Sequence, residues 1–302
     1  MKNIFKGHLM LSSVLVLTAL GLAGQSAAPA AKPAQPQMPP MTVEKITDNI
    51  YLAKGGFGAN TGFVITDQGV LAIDAKMSAE ASKLELAEIA KLTPKTVAVM
   101  ILTHSDLDHV NGLGGFPREM VIHAHIQTRK DMEIAFSEPS LQTLLPYLPT
   151  MTFGDFATLT LGRTIVELRH YGPAHTSGDV VVFFPKEKVA FVGDLAFIGR
   201  DPLIHLKKGG SSFGLVKTLQ EILKLEAEVF IPGHGDKIGK PEIGALLKSI
   251  QDRQSKVQAL VAEGKTLEDV KMAFGIKDET GAGGRRWPSL VEIIYQELTE
   301  KK

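Results

Sequence analysis

The densest group of chemically capable side chains is a six-residue segment. His104, Asp106, Asp108 and His109 follow an apolar run at 96–102. Four ionisable groups beside a buried strand would be costly to desolvate unless something compensates them, and a metal ion compensates them directly. Imidazole and carboxylate ligands suit zinc, and also iron or manganese. The segment therefore predicts part of a metal site.

Three other segments repeat the pattern of an apolar run followed by a short polar turn. They contribute His175, Asp194 and His234, each with glycine nearby. Side chains at the carboxyl ends of strands can converge on one site, and the strands hold them rigidly. The glycines let the backbone turn tightly beside the ligands. We therefore expect all four segments to build a single site.

Composition narrows the choice of ligands and partners. The 302 residues include no cysteine, so a disulfide framework, a cysteine nucleophile and a thiolate metal site are excluded. There are 33 basic and 33 acidic residues, but residues 1–41 hold three lysines and no acid, which leaves 30 against 33 in residues 42–302, a net charge of −3. Nucleic-acid binding needs excess basic charge, so we expect a small-molecule substrate and no nucleic-acid partner.

The four motifs together resemble those of the metallo-β-lactamase-fold hydrolase superfamily. The family motif His-x-His-x-Asp-His stands here as His104-Ser105-Asp106-Leu107-Asp108-His109, and the later ligands match His175, Asp194 and His234 in the family's order. The resemblance covers essentially all of residues 42–302. It implies an α/β fold, a four-layer αββα sandwich with the metals at one edge between the two sheets.

The resemblance also implies a dinuclear centre. One divalent metal, zinc first and iron or manganese as alternatives, would take His104, Asp106 and His175. The other would take Asp108, His109 and His234. Asp194 would bridge the two ions, which in this family generate a metal-bound hydroxide and polarise the substrate. Asp108, or the metal pair, would manage the proton of the nucleophile.

Asp106 departs from the family pattern, which usually has histidine at this position. A third carboxylate makes the site less positive, so it should acidify a bound water less and tolerate harder metals better. Aspartate is also shorter than histidine, and a mononuclear or weakly occupied first site would result if Asp106 fell short of the metal. We expect Asp106 to be a ligand.

The resemblance implies a hydrolase acting on an ester, thioester or lactone-type carbonyl. Metallo-β-lactamases proper generally carry Cys or Ser where Asp194 stands, whereas a bridging aspartate is typical of the glyoxalase II-like and lactonase-like branches. A lactam hydrolase, an iron-dependent oxidoreductase of the same fold and a non-catalytic metal-binding maturation protein are the alternatives.

The N-terminus predicts export. Residues 1–28 have the positive start, the short apolar run and the small residues of a signal peptide, with cleavage after Ala28. Residues 29–41 contain five prolines and predict a mobile linker, and residues 42–302 form the domain. We expect a periplasmic or secreted protein with no stable membrane anchor after cleavage. The sequence makes no prediction of its oligomeric state.

Hydrophobic patterning predicts short strands alternating with helices across the domain, among them a helix begun by Ser78 and strands at 164–170, 180–184, 189–192 and 229–231. The loop after Asp194 contains His205, Lys207 and Lys208, and it is expected to overhang the site, where its basic residues could meet an anionic substrate. Residues Arg285, Arg286 and Trp287 are interpreted as a surface cap.

Overall fold

The computed structural model describes residues 37–276 and 287–300. The chain divides into two compact units, Met1–Gln37 and Met38–Lys302, and the fold below is that of the second unit. The predicted signal peptide, residues 29–36 of the predicted linker, Arg285 and Arg286 lie outside the described residues. Within the described part of the chain, no helix has both the length and the apolar character that a membrane span requires.

Twelve strands form two sheets within residues 37–276 and 287–300. In chain order they are β1 (Thr42–Lys45), β2 (Ile50–Lys54), β3 (Thr61–Thr66), β4 (Gly69–Ile73), β5 (Val97–Ile101), β6 (Val121–His125), β7 (Met151–Phe153), β8 (Phe156–Leu161), β9 (Thr164–Arg169), β10 (Val181–Phe184), β11 (Val189–Gly193) and β12 (Val229–Pro232). The first sheet has the order β1-β2-β3-β4-β5-β6-β7 and the second has the order β12-β11-β10-β9-β8. Strands β4 to β7 are parallel to one another, as are β11 and β12.

Seven α-helices accompany the strands in the described part of the chain. They are α1 (Ala79–Leu92), α2 (Leu107–Val110), α3 (Ile126–Phe136), α4 (Ser212–Lys224), α5 (Lys240–Ala262), α6 (Leu267–Ala273) and α7 (Leu290–Thr299). The predicted start of α1 is confirmed, because the Ser78 hydroxyl accepts a hydrogen bond from the Ala81 amide. Helix α3 and strands β7 and β8 were not predicted.

Three apolar clusters define the layers. Met100 of β5 and Leu102 directly after it belong to a cluster with residues of α1 and α3, whereas Val99 and Ile101 of β5 belong to a cluster that joins the two sheets. The third cluster joins β10 and β11 to helices α4 to α7. This alternation of side chains along a strand buries both faces of the sheet. The expected αββα sandwich is confirmed.

The described end of the predicted linker contacts the domain. The Gly56 amide donates a hydrogen bond to the Pro39 carbonyl at 2.9 Å, and Met41 packs against the cluster that holds α1. The backbone of Pro39 and the side chain of Met41 therefore contact the domain at the Gly-rich turn after β2, while the side chains of Pro39 and Pro40 are exposed.

Candidate metal centre

The predicted site residues all follow strand ends at one edge of the sandwich. His104 lies three residues after β5, Asp194 follows β11 directly, and His234 lies two residues after β12. Asp106 is the N-cap residue of the four-residue helix α2, which carries Asp108 and His109. The strands that precede these turns are buried, so the side chains start from rigid positions.

The structure brings six of the seven predicted ligands into two clusters. His104, Asp106 and His175 form one group, and the potential ligand atoms of these three residues lie within 4.8 Å of one another. The other group contains Asp108, His109 and His234, with the same limit. These are the two ligand sets expected from the sequence.

Asp194 lies between the two groups. Its Oδ1 is 3.2 Å from His109 Nε2, and its Oδ2 is 3.6 Å from His234 Nε2. The same Oδ2 lies 3.9 Å from the Nε2 atoms of both His104 and His175. A carboxylate that reaches both sets of imidazoles has the placement required of a bridging ligand.

The arrangement fits a metal because buried polar atoms point into it without other partners. His104 Nε2, His109 Nε2 and Asp194 Oδ1 are buried and make no hydrogen bond within the described residues. Leaving such atoms unpaired costs about 1–3 kcal/mol each. Divalent cations would satisfy all three atoms at once, and the nitrogen and oxygen donors suit zinc, iron or manganese.

Gly233 provides the space in which this arrangement fits. A Cβ atom at position 233 would lie 2.2 Å from Asp194 Oδ1 and 2.7 Å from His109 Cε1. Any larger residue would therefore displace a potential ligand, which explains the glycine directly before His234.

Asp106 reaches the first group despite its short side chain. Its Oδ2 is 3.2 Å from His175 Nε2 and 3.9 Å from His104 Nε2. Burial alone would raise the pKa of Asp106, but hydrogen bonds with His175 and His205 outweigh it and hold this pKa far below the ordinary value. The carboxylate is thus charged and available as a donor.

The pKa values of His104 and His175 are shifted in opposite directions. Burial, together with the neighbouring His109 and His175, holds the pKa of His104 well below its ordinary value. Burial also opposes the charged form of His175, but Asp106 and Asp194 raise the pKa of His175 to about 9. A metal that binds His175 below this pH must therefore displace a proton.

Sequence reasoning missed Asp74, which supports the centre from behind. Its Oδ2 accepts hydrogen bonds from His109 Nδ1 at 2.8 Å and from Thr103 Oγ1 at 2.7 Å, and its Oδ1 accepts one from the Thr103 amide. Asp74 has a φ of 61° at the end of β4. An acidic residue that closes an apolar strand was the available sequence signal.

Backbone contacts orient His175. Its Nδ1 lies 2.7 Å from the Leu203 carbonyl, which leaves Nε2 to face Asp106. Asp179, interpreted from the sequence as a turn residue, accepts hydrogen bonds from the amide and hydroxyl of Thr176. The turn that carries His175 is therefore fixed from two sides.

Aromatic side chains surround the exposed side of the centre. Phe197 stacks on His234 with ring centroids 5.8 Å apart, and the Arg200 guanidinium lies 4.2 Å from the centroid of the Phe197 ring. Trp287 meets His205 edge to face at 5.1 Å. The predicted overhang of the loop after Asp194 is thus observed, although Lys208 contacts Asp106 rather than open solvent.

Comparison with known proteins agrees with this geometry. The sequence profile of the metallo-beta-lactamase superfamily matches residues 55–234, which is more than half of the chain. A metallo-beta-lactamase type 2 from Elizabethkingia meningoseptica is 28% identical over 201 residues, covering 61% of this chain and 75% of the relative. The 2,4-dinitroanisole O-demethylase subunit alpha of a Nocardioides species is 25% identical over 209 residues, covering 68% of this chain and 61% of the relative.

A solved structure shows the same fold. The stereoselective inverting sec-alkylsulfatase Pisa1 from a Pseudomonas species superposes with a TM-score of 0.69 at 17% identity, covering 86% of this chain and 50% of that chain. Most proteins of the matched superfamily are hydrolytic enzymes, and this chain keeps potential metal ligands at the same edge of the sandwich. The chain belongs to the metallo-β-lactamase superfamily.

Proposed function

We propose that the protein is an exported metal-dependent hydrolase that cleaves an ester, thioester or lactone-type carbonyl in a small organic molecule. The observation that supports this most directly is the position of Asp194 between the two groups of imidazoles. Two divalent ions, zinc first, would be held by His104, Asp106 and His175 on one side and by Asp108, His109 and His234 on the other.

When bound, such ions supply a nucleophile at neutral pH and polarise the scissile carbonyl. The protein's own part is to place the donors and to move protons. Asp108 is the most exposed of the three carboxylates, at 23% against 13% for Asp106 and 4% for Asp194. It is therefore the group that can exchange a proton with solvent, and we assign it the role of proton acceptor beside the second ion.

The surroundings favour a small organic substrate. Trp287 offers exposed aromatic surface beside His205, and Arg200 offers one positive charge above the buried ring of Phe197, which packs on His234. Aromatic walls with a few polar groups are typical of small-molecule sites. A net charge of −3 over residues 42–302 opposes binding to a polyanion.

The test is a panel of ester, thioester, lactone, β-lactam and phosphodiester substrates, run with the protein loaded with zinc, manganese or iron. We expect turnover of one carbonyl class and its loss in Asp194→Ala. Asp236→Ala is the matched control, because Asp236 is an exposed acid that pairs with Lys54 near His234. Absence of turnover with every metal would refute the hydrolase proposal.

Export needs a separate test. The chain would be expressed in a Gram-negative host, and the N-terminus of the mature protein would be sequenced from the periplasmic fraction. We expect it to begin at Pro29, after cleavage behind Ala28. Recovery of the intact chain from the cytoplasm would contradict export without bearing on the hydrolase.

A further inference from the structure

One oxygen of Asp106 is approached by three imidazoles rather than the two expected. His205 Nε2 lies 2.7 Å from Asp106 Oδ2, closer than the Nε2 atoms of His175 at 3.2 Å and His104 at 3.9 Å. His205 belongs to the loop between β11 and α4, outside every ligand motif in the sequence. We propose that His205 is a further protein ligand of the first metal, the fifth when the bridging Asp194 is counted, and supplies the imidazole that Asp106 replaces.

The ring of His205 lies beside that of His175, outside the groups whose potential ligand atoms are within 4.8 Å of one another. Its centroid is 4.9 Å from that of His175 at an angle of 71°, much as His104 and His175 lie 4.7 Å apart at 90°. With metal–ligand bonds of about 2.0–2.2 Å, two donors on one ion lie about 3–3.5 Å apart. The distance of 2.7 Å between His205 Nε2 and Asp106 Oδ2 therefore has to increase by about a few tenths of an ångström when an ion replaces the shared proton.

The backbone holds His205 in this place. Its amide donates to the His175 carbonyl at 2.9 Å, so the loop is tied directly to the residue that carries another ligand. The His205 carbonyl accepts hydrogen bonds from the amides of Lys208 and Gly210, both at 2.9 Å. The side chain is 13% exposed, and Trp287 covers one edge of it. A residue fixed this firmly loses little conformational entropy on binding a metal.

Lys208 pairs with one oxygen of the Asp106 carboxylate and leaves the other oxygen to the imidazoles. Its Nζ lies 2.7 Å from Asp106 Oδ1 and also donates to Ser105, at 3.2 Å to the carbonyl and 3.1 Å to the hydroxyl. Oδ1 is thereby paired with a cation, and Oδ2 alone faces the three imidazoles. The positive charge of Lys208 offsets the extra negative charge that Asp106 brings to the centre. His205 and Lys208 thus restore the nitrogen donor and the charge that a histidine at position 106 would provide.

Counting the coordinated imidazoles tests this directly. The protein loaded with two cobalt(II) ions would be studied by proton NMR, in which each bound imidazole gives one hyperfine-shifted, solvent-exchangeable N–H signal. We expect five signals, from His104, His109, His175, His205 and His234, and four in His205→Ala. Four signals in the wild-type protein would overturn the proposal.

Metal affinity provides a second readout. We expect His205→Ala to lower the affinity for one of the two ions by more than about 100-fold in a chelator competition. Loss of a group that only orients a ligand typically lowers metal affinity by about 10- to 100-fold. His123→Ala is the control, because His123 lies within β6 rather than in a turn that carries a potential ligand. Unchanged affinity of both ions in His205→Ala would also overturn the proposal.

The absence of cysteine offers a third measurement. In His205→Cys the chain would have a single thiol, and cobalt(II) coordinated by it would show a near-ultraviolet thiolate charge-transfer band. Lys207→Cys, two residues away and exposed, should show none. The inference rests on metal binding at the proposed hydrolytic centre. A protein that binds no metal would refute the proposed function, whereas two bound ions with four imidazoles would refute the role of His205 alone.

Discussion

The carboxylate of Asp74 accepts a hydrogen bond from His109 Nδ1 at 2.8 Å. This contact fixes the ring so that Nε2 points toward Asp194, 3.2 Å away. Burial opposes a positive charge on His109, but Asp194 and Asp74 raise its pKa well above the ordinary value. Asp74 therefore orients the imidazole and increases its basicity, as carboxylates behind metal-binding histidines do.

Removing Asp74 should lower the affinity for the second metal without removing a ligand. We expect Asp74→Ala to lower the affinity for one ion by about 10- to 100-fold. It should also destabilise the metal-free protein by about 1–3 kcal/mol, because the Thr103 amide and His109 Nδ1 lose their buried acceptor. Chelator competition and urea denaturation measure the two effects. Asp67→Ala, in the turn after β3, should change neither by a comparable amount, since its pair with Arg163 is exposed.

The close contacts around Gly233 predict the effect of adding a methyl group at this position. In Gly233→Ala the new methyl would overlap Asp194 Oδ1 and His109 Cε1, so one of these groups must move. Because Asp194 contacts both groups of imidazoles, we expect the affinity for both ions to fall by about 10- to 100-fold. Gly244→Ala is the control, since that position in α5 has nothing within 4 Å of a Cβ and alanine favours a helix. Normal metal loading of Gly233→Ala would show that the centre tolerates a displaced Asp194.

Arg200 should affect substrate binding rather than turnover. Its guanidinium lies over Phe197, which in turn stacks on His234, so its charge stands beside the centre without touching a potential ligand. We expect Arg200→Met to raise KM by about two- to fivefold for an ester that carries a carboxylate, consistent with 0.2–1 kcal/mol for an exposed pair. KM for the matching neutral ester and kcat for both should stay nearly constant. Lys207→Met should leave all four constants unchanged, and an equal effect on both esters would contradict a charge contact.

The sequence predicted much of this centre because the ligands follow local patterns. His104, Asp194 and His234 each lie within three residues of the end of an apolar strand, and the register of parallel strands brings such ends together. His205 and Asp74 escaped prediction for another reason. Nothing in the neighbouring sequence of either residue shows that it contacts Asp106 or His109, which lie 99 and 35 residues away along the chain. The contact between Asp74 and His109 forms when β4 pairs with β5, and the contact between His205 and Asp106 forms only after the two sheets have packed.

The unpredicted elements have a similar explanation. Strand β8 has alternating exposed and intermediate residues, and it lies at the edge of its sheet. The alternation of threonine and leucine over residues 158–161 was the available sequence signal for this strand. Helix α3 buries few of its residues, among them Met132 and Phe136, and its start is capped by a histidine, an uncommon N-cap residue. Its weak amphipathic patterning left that helix without a clear sequence pattern.

Two further charged residues, Lys76 and Glu85, are buried near Asp74 but outside the groups of potential ligands. Lys76 and Glu85 are both fully buried; Lys76 Nζ donates to the carbonyls of Ala53 and Ala59, and Glu85 accepts a hydrogen bond from the Thr61 hydroxyl at 2.8 Å. Burial raises the pKa of Glu85 to about 7, although the charge of Lys76 opposes this shift. Burial likewise lowers the pKa of Lys76. The carboxyl group is therefore held partly protonated at neutral pH.

This pKa gives the stability of the protein a defined pH dependence. Because the pKa of Glu85 is higher in the folded than in the unfolded protein, Glu85 contributes stability below its unfolded pKa, near 4.5. That contribution is lost as the pH rises to about 7 and beyond. Glutamine does not titrate, so the stability of Glu85→Gln relative to the wild-type protein should increase between pH 4.5 and pH 8, by up to about 3 kcal/mol. Both proteins retain Lys76 and the potential ligands, so the titration of those groups cancels in the comparison. Using the metal-free proteins removes the pH-dependent binding of the metal. Urea denaturation across this range measures the difference. Glu88→Gln, one turn further along α1 beside Lys91, should show no such trend. A constant difference between Glu85→Gln and wild type across the range would mean that Glu85 stays charged in the core.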